Sequence, residues 1–355
     1  MTGAAVQQVS GLILAAGPAG RCDDHRLGGA VVVHDAAAPP GSEAAWRMWY
    51  YCRRHDGAGP PTLGTGTIAM AVSEDGMTWR RHDGTGPHGA VFAPAATGFD
   101  SLHIGISDIV ATSEGYHMWY FAGDHAPRTT AAFGDVVGLG MRPGLAFSAD
   151  GTAWDRIPGR DPAGDGAQLP LPGDTIYRAW PNVFEGPSGP ILQVTEAASD
   201  LSGFRTSVWT PCPDRGWRSA GCLSFAEPSP GYDSHGLVTR QVLANPLPGG
   251  RRFLMIYTGT DARHQRAIAA ADSDDGLVWH RLYGEPIFAA GEPGAWDSLG
   301  VAATRLVVAG GRIHLYYYGF QTLGDASGLR GIGLATASLH EGDLRSLRRV
   351  DAGAV

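Results

Sequence analysis

The stretch FDSLHIGISDIV, residues 99–110, returns twice in altered form, as YDSHGLVTRQVL at 232–243 and WDSLGVAATRLVV at 296–308. Each copy has an aromatic residue, then Asp-Ser, a short bridge and a largely apolar run. The pattern reads as a turn feeding a buried strand. Extending the search for the entry aspartate gives Asp23, Asp100, Asp174, Asp233 and Asp297. They fall roughly 60–80 residues apart, the size of a four-stranded propeller blade.

A second phrase lies inside the same interval. SEDGMTW ends at Trp79, SADGTAW at Trp154 and SDDGLVW at Trp279. Asp-Gly accepts the backbone of a tight turn, and the Trp opens the next strand with a large apolar side chain. Aromatic strands precede these hairpins: RMWYY (47–51), HMWYF (117–121), FLMIY (253–257) and IHLYYYG (313–319). No long amphipathic helix is legible. The expected fold is all-β, a single five-bladed β-propeller over 1–355, with four antiparallel strands per blade and blades starting near 23, 100, 174, 233 and 297. A two-sheet sandwich is the alternative, and it leaves five similar entries without a reason. The third blade keeps its hairpin only as DRGW (214–217). The fifth has none, so its outer strand comes from RSLRRV (345–350) or, by ring closure, from GLILAA (11–16).

Composition narrows the function. The chain is 43% hydrophobic and 17% charged, which fits a folded globular protein. All 27 basic residues are arginine, so lysine-dependent Schiff-base, pyridoxal-phosphate and phosphate-loop chemistry is excluded. A net charge of −8 without a basic run argues against a nucleic-acid partner. No run approaches membrane-spanning length. LILAAG near the amino terminus lacks a preceding Arg or Lys, and the expectation is a soluble, cytoplasmic protein. The cysteines, Cys22, Cys52, Cys212 and Cys222, show no zinc-type spacing and are expected to be free and buried, although Cys212 and Cys222 could meet across a hairpin.

The aromatic strands, the S-x-D-G-x-x-W hairpins and the aromatic-Asp-Ser entries resemble the five-bladed propellers of the arabinanase, invertase and mannoside-phosphorylase families of carbohydrate-active enzymes. The resemblance spans nearly the whole chain. It implies a glycoside hydrolase or phosphorylase-like enzyme, with a substrate pocket at one end of the central channel and acid/base catalysis there, on a sugar or sugar-like small molecule and without a cofactor.

Position-specific variation on this repeat is the sequence's main clue to a site. Eight residues after the entry Asp stand Val31, Asp108, Asn182 and Arg305, with Arg240 in the equivalent place of the fourth blade. Asp108 is either a general acid, the counterpart of a catalytic Asp in the related enzymes, or a buried partner of Arg240 or Arg305. Arabinanase-type hydrolases imply two further carboxylates. Here the first blade offers Asp24 just ahead of its strand, and the third offers Glu196 at the end of ILQVTE in place of an early Glu. Arg178, Arg240 and Arg305, with His25, His103 and His235, add positive charge and imidazole suited to a carboxylate or phosphate group. Pairing of each Arg with an entry Asp is the structural alternative. The three histidines are read as substrate contacts rather than metal ligands. Trp180, with Tyr177 and the Tyr316–Tyr318 run, is a candidate sugar-stacking surface. A lyase, cyclase or isomerase using His and Arg, and a non-catalytic binding propeller, remain the alternative functions.

Overall fold

In the computed structural model, residues 9–350 are described, apart from 40, 56–65, 132–133, 161–163, 199, 201, 215 and 323–328. They form five antiparallel meanders arranged as a ring around a channel, a five-bladed β-propeller. The innermost strands are Arg26–His34, His103–Thr112, Thr175–Gly186, Leu237–Ala244 and Gly300–Ala309. Helical structure among the described residues is limited to short 3-10 turns, and none is long and apolar enough to cross a membrane.

The ring closes with both candidate segments. Leu12–Ala15 and Arg348–Arg349 pair with successive parts of the same strand, Arg330–Ser338. The Gly11 amide donates to the Val350 carbonyl at 2.7 Å, so two pieces from opposite ends of the sequence make one outer strand. The apolar LILA segment is therefore part of the fifth blade.

The three Asp-Gly-Trp hairpins are structurally alike. Asp75, Asp150 and Asp275 each accept two amides from the residues that follow, and the Trp Nε1 donates to the Gly carbonyl at 3.2 Å. Each Gly carbonyl also receives a donor from the neighbouring blade. Tyr316 Oη reaches Gly76, Trp49 Nε1 reaches Gly151 and Gln193 Nε2 reaches Gly276, at 2.7–3.0 Å. One turn thus fixes its own blade and the next.

Four entry aspartates are clasps. Asp23, Asp100, Asp233 and Asp297 are almost fully buried. Each accepts from the second-strand hydroxyl of Tyr50, Tyr120, Tyr257 or Tyr317 at 2.9–3.1 Å. Each also accepts from Nε of Arg81, Arg156, Arg281 or Arg349 at 2.6–2.9 Å. These arginines lie at the outer edge of the blade, so the clasp ties entry, second strand and edge together with charge-assisted bonds. Asp174 breaks the series. It is exposed and accepts from its own neighbour's hydroxyl, with no edge arginine on it among the described residues.

The cysteines are free, as expected, but only Cys22 and Cys52 are buried. Cys212 is half-buried and Cys222 exposed, and they pair with different residues across their hairpin.

Candidate functional site: an arginine-lined cavity at the channel mouth

All five innermost strands carry a bulge at the same level. Pairing with the second strand slips between Leu27 and Ala30, Ile106 and Asp108, Ala179 and Asn182, Leu237 and Arg240, and Ala303 and Arg305. A bulge turns its extra residue out of the ladder and re-aims its neighbours. Gly28, Gly29, Ser107, Trp180, Val238, Thr239 and Thr304 lie in these slips and line a central cavity of about 480 Å³.

The cavity is rich in positive charge. Arg26, Arg53, Arg240, Arg266 and Arg330 line it together with His103, and its described lining includes no Asp or Glu. Arg240 is 5% exposed. Its Nη1 and Nη2 donate to Thr195 Oγ1 at 3.2 and 2.8 Å, while its Nε has no partner among the described residues. Burial pulls this guanidinium down to about 9, which leaves it charged at neutral pH. Burial also lowers Arg266, offset in part by Tyr177 and Tyr318.

His103 is 2% exposed. Its Nε2 stands 2.7 Å from the Gly138 carbonyl, which assigns the hydrogen to Nε2. Nδ1 is left as a buried acceptor without a partner among the described residues. Burial pushes this imidazole down to about 4; the Gly138 bond opposes the shift and the Arg53 charge adds to it. At neutral pH His103 is a neutral proton acceptor. Trp180, also on the wall, packs against Phe121 at 5.4 Å and Tyr177 at 5.6 Å between ring centroids. Its φ is +51°, a costly conformation for a bulky residue, and it precedes Pro181.

Of the residues singled out in the sequence, His103, Arg240 and Trp180 meet in this cavity. Tyr177 and Tyr318 line it too, whereas Tyr316 and Tyr317 are buried in the blade packing.

Asp108 and Arg305 lie one layer deeper and bind each other. Arg305 Nη1 donates to Asp108 Oδ1 at 2.6 Å, and Asn182 Nδ2 donates to Oδ2 at 2.7 Å. The amides of Ile109 and Val183 complete the set, and Asn182 Oδ1 accepts from Val242 N. Four of the five blades are joined by this belt.

Glu196 and Arg178 also pair away from the central cavity. Arg178 Nε reaches Glu196 at 2.8 Å, with Arg205 and Ser207 on the same carboxylate. Burial alone would raise Glu196, but Ser207 and the two guanidiniums outweigh it and hold it below its ordinary value. None of Arg178, Arg240 and Arg305 pairs with an entry Asp; that role falls to the arginines of the outer edges.

Asp24 accepts amides from Gly20 and His55 at 2.8 Å, in a turn ahead of the first blade. His25 packs edge-on against His55 and His235 against His264, each at 5.3 Å. The three histidines are thus in three places. Among the described residues no three His, Cys, Asp or Glu side chains converge as metal ligands.

No protein-family model matches the chain, and no curated protein matches it. Solved structures do. An N-acetylgalactosamine deacetylase from F. plautii, in complex with blood group B trisaccharide, is 16% identical, with 96% of this chain and 97% of that one covered and a TM-score of 0.64. A family 32 β-fructofuranosidase from Bombyx mori is 11% identical over 94% of this chain and 63% of its own, with a TM-score of 0.58. A thermostable family-43 glycoside hydrolase is 12% identical over 92% of each chain, at 0.57. At these identities the likeness is one of fold, and it is the fold that the sequence resemblance implied.

Proposed function

We propose that this propeller is a carbohydrate-active enzyme whose central cavity takes a sugar or sugar-like small molecule bearing a carboxylate or phosphate. The observation that carries the reading is Arg240, a buried guanidinium with a hydroxyl for company and, among the described residues, no carboxylate. Burying an unpaired charge is costly, and a ligand anion is the natural counter-charge. Arg266 offers a second fork on the same wall, and Trp180, Tyr177 and Tyr318 supply surfaces for a sugar ring. His103, a neutral imidazole on the cavity wall, is the candidate base, and a substrate has to open a path to its covered Nδ1. With one imidazole and several guanidiniums, the cavity suits lyase, cyclase or isomerase chemistry on an anionic sugar.

Calorimetric titration tests this with D-glucuronate, D-galacturonate, D-glucose 6-phosphate and inorganic phosphate against neutral D-glucose. An anionic ligand is expected to bind, and Arg240→Met to weaken it by roughly a hundredfold. Equal binding of the neutral sugar would sink the proposal.

A second reading is hydrolysis or phosphorolysis of a glycosidic bond, with Asp108 as proton donor and Glu196 or Asp24 as second carboxylate. The glycoside hydrolases that share the fold favour it. It requires Asp108 to leave Arg305 and Asn182 and reach past Ser107, and it finds no second carboxylate among the described residues of the cavity wall. Turnover of a glycoside that Asp108→Asn abolishes, in a variant that still folds, would favour it over the His103 route.

A further inference from the structure

Three blades open their third strand with an arginine: Arg142, Arg266 and Arg330. Two of them are engaged within the protein. Arg142 pairs with Asp124 and Asp165, and Arg330 donates to the Tyr318 hydroxyl and the Thr322 carbonyl. Arg266, at the same place in the fourth blade, makes no hydrogen bond or ion pair among the described residues, and the groups acting on it are the phenols of Tyr177 and Tyr318. It is partly exposed and lines the central cavity. A position that serves the fold in two blades is thus left open in the third.

Tyr177 is a second donor without a partner. Its strand slips at Ala179–Asn182, as the other innermost strands do at that level, and again between Thr175 and Tyr177. Among the described pairings no other innermost strand slips twice. A slip re-aims the side chains around it, and Tyr177 lines the cavity with its ring against Trp180. Tyr177 is 5% exposed; burial pushes its phenol up, opposed by the Arg266 charge. At neutral pH it keeps its proton, and its hydroxyl makes no hydrogen bond among the described residues. His103 Nδ1 and Arg240 Nε are unpaired and covered, whereas the unpaired polar atoms of Arg266 and Tyr177 keep accessible surface. An occupant of the cavity can meet both.

We infer that Arg266 and Tyr177 hold the carboxylate of a uronic-acid-type sugar, and that the cavity selects carboxylate over phosphate. The inference rests on the anion reading of this cavity and narrows it. A guanidinium fork meets both oxygens of a planar carboxylate in parallel bonds, and the phenol O–H takes a remaining lone pair. A phosphate ester brings a further oxygen and more negative charge. The other guanidiniums of the wall are already engaged, Arg240 with Thr195, Arg330 with Tyr318, and Arg26 and Arg53 with partners of their own. One open fork suits one carboxylate.

The test is calorimetric titration of the whole chain with the methyl glycosides of D-glucuronate and D-galacturonate, their methyl esters, D-glucose 6-phosphate and inorganic phosphate. One uronate is expected to bind at least about tenfold more tightly than either phosphate, and its ester to lose that advantage. Arg266→Lys keeps the charge and removes the fork, and should weaken the uronate about tenfold or more. Tyr177→Phe should weaken it about fivefold to tenfold without lowering the melting temperature, since the hydroxyl it removes bonds to nothing in the ligand-free protein. A phosphate that binds as tightly as both uronates, or tighter, overturns the inference and leaves the anion reading standing. Unchanged uronate affinity in Arg266→Lys or in Tyr177→Phe overturns it too. Binding of no anion at all overturns both.

Discussion

Asp108 of the second blade and Arg305 of the fifth meet across the channel at 2.6 Å, with Asn182 of the third blade on the other carboxylate oxygen. Blades far apart in sequence are held at one level by a single buried carboxylate. Removing the guanidinium leaves the buried Asp108 carboxylate without its counter-charge, and removing the carboxylate charge does the same to Arg305. Arg305→Met is expected to cost about 3–5 kcal/mol in urea unfolding, and Asp108→Asn about 1–3 kcal/mol. A loss below 1 kcal/mol in both would mean that the belt does not hold the ring.

Arg240 predicts the opposite sign. Its charge is buried without an anion, so Arg240→Met should leave the ligand-free protein as stable as the wild type or more so. The stabilisation that an anionic ligand gives the wild type should vanish in the variant. Differential scanning calorimetry with and without ligand reads both.

His103 makes stability depend on pH. Its folded value lies near 4, below the ordinary 6.5 of the unfolded chain. Between those values the unfolded state binds a proton that the folded state does not, so stability rises with pH. It is fully present above about 6.5 and is lost as pH falls toward 4, by roughly 3 kcal/mol in all. His103→Gln should remove about one proton from the slope of unfolding free energy between pH 4.5 and 6. An unchanged slope would contradict the buried neutral imidazole.

The clasps should behave alike. Tyr120→Phe removes one donor from buried Asp100 and leaves Arg156 in place, so the expected loss is about 1–2 kcal/mol. Tyr50→Phe and Tyr317→Phe should fall in the same range by chemical denaturation.

Gly151 sits at φ +83°, and a Cβ there would lie 2.7 Å from Trp49 of the preceding blade. Gly151→Ala should therefore cost about 2 kcal/mol or more, from the backbone and from the displaced indole together. The melting temperature is the readout.

The fold was legible because propeller repeats write their turns openly. Ser148, Asp150, Gly151 and Trp154 are each needed for a local reason, and the same reasons recur at 73–79 and 273–279. The site was harder to read. The position whose charge varies from blade to blade is Asp108, Asn182 and Arg305, but the bulges turn the preceding layer, Ser107, Trp180 and Thr304, toward the cavity. One residue of slip exchanges the faces of a strand, and nothing in the apolar run marks where it happens. Arg266 and Arg330 went unnoticed because they open third strands, outside the repeated entry phrase. A signal existed there, since Arg142, Arg266 and Arg330 each stand first in the third strand of their blade.

The shared outer strand of the fifth blade also orders events in time. Its two halves come from opposite ends of the polypeptide, so the loop that must close is nearly the whole chain, and its closure has the largest entropic barrier in the fold. Until it closes, Arg330 and Tyr318 rest on an unfinished sheet, although both belong to the wall of the central cavity. Ligand-binding competence should then emerge as the slowest phase of refolding, after the intrinsic fluorescence of the first four blades has already reached its native value.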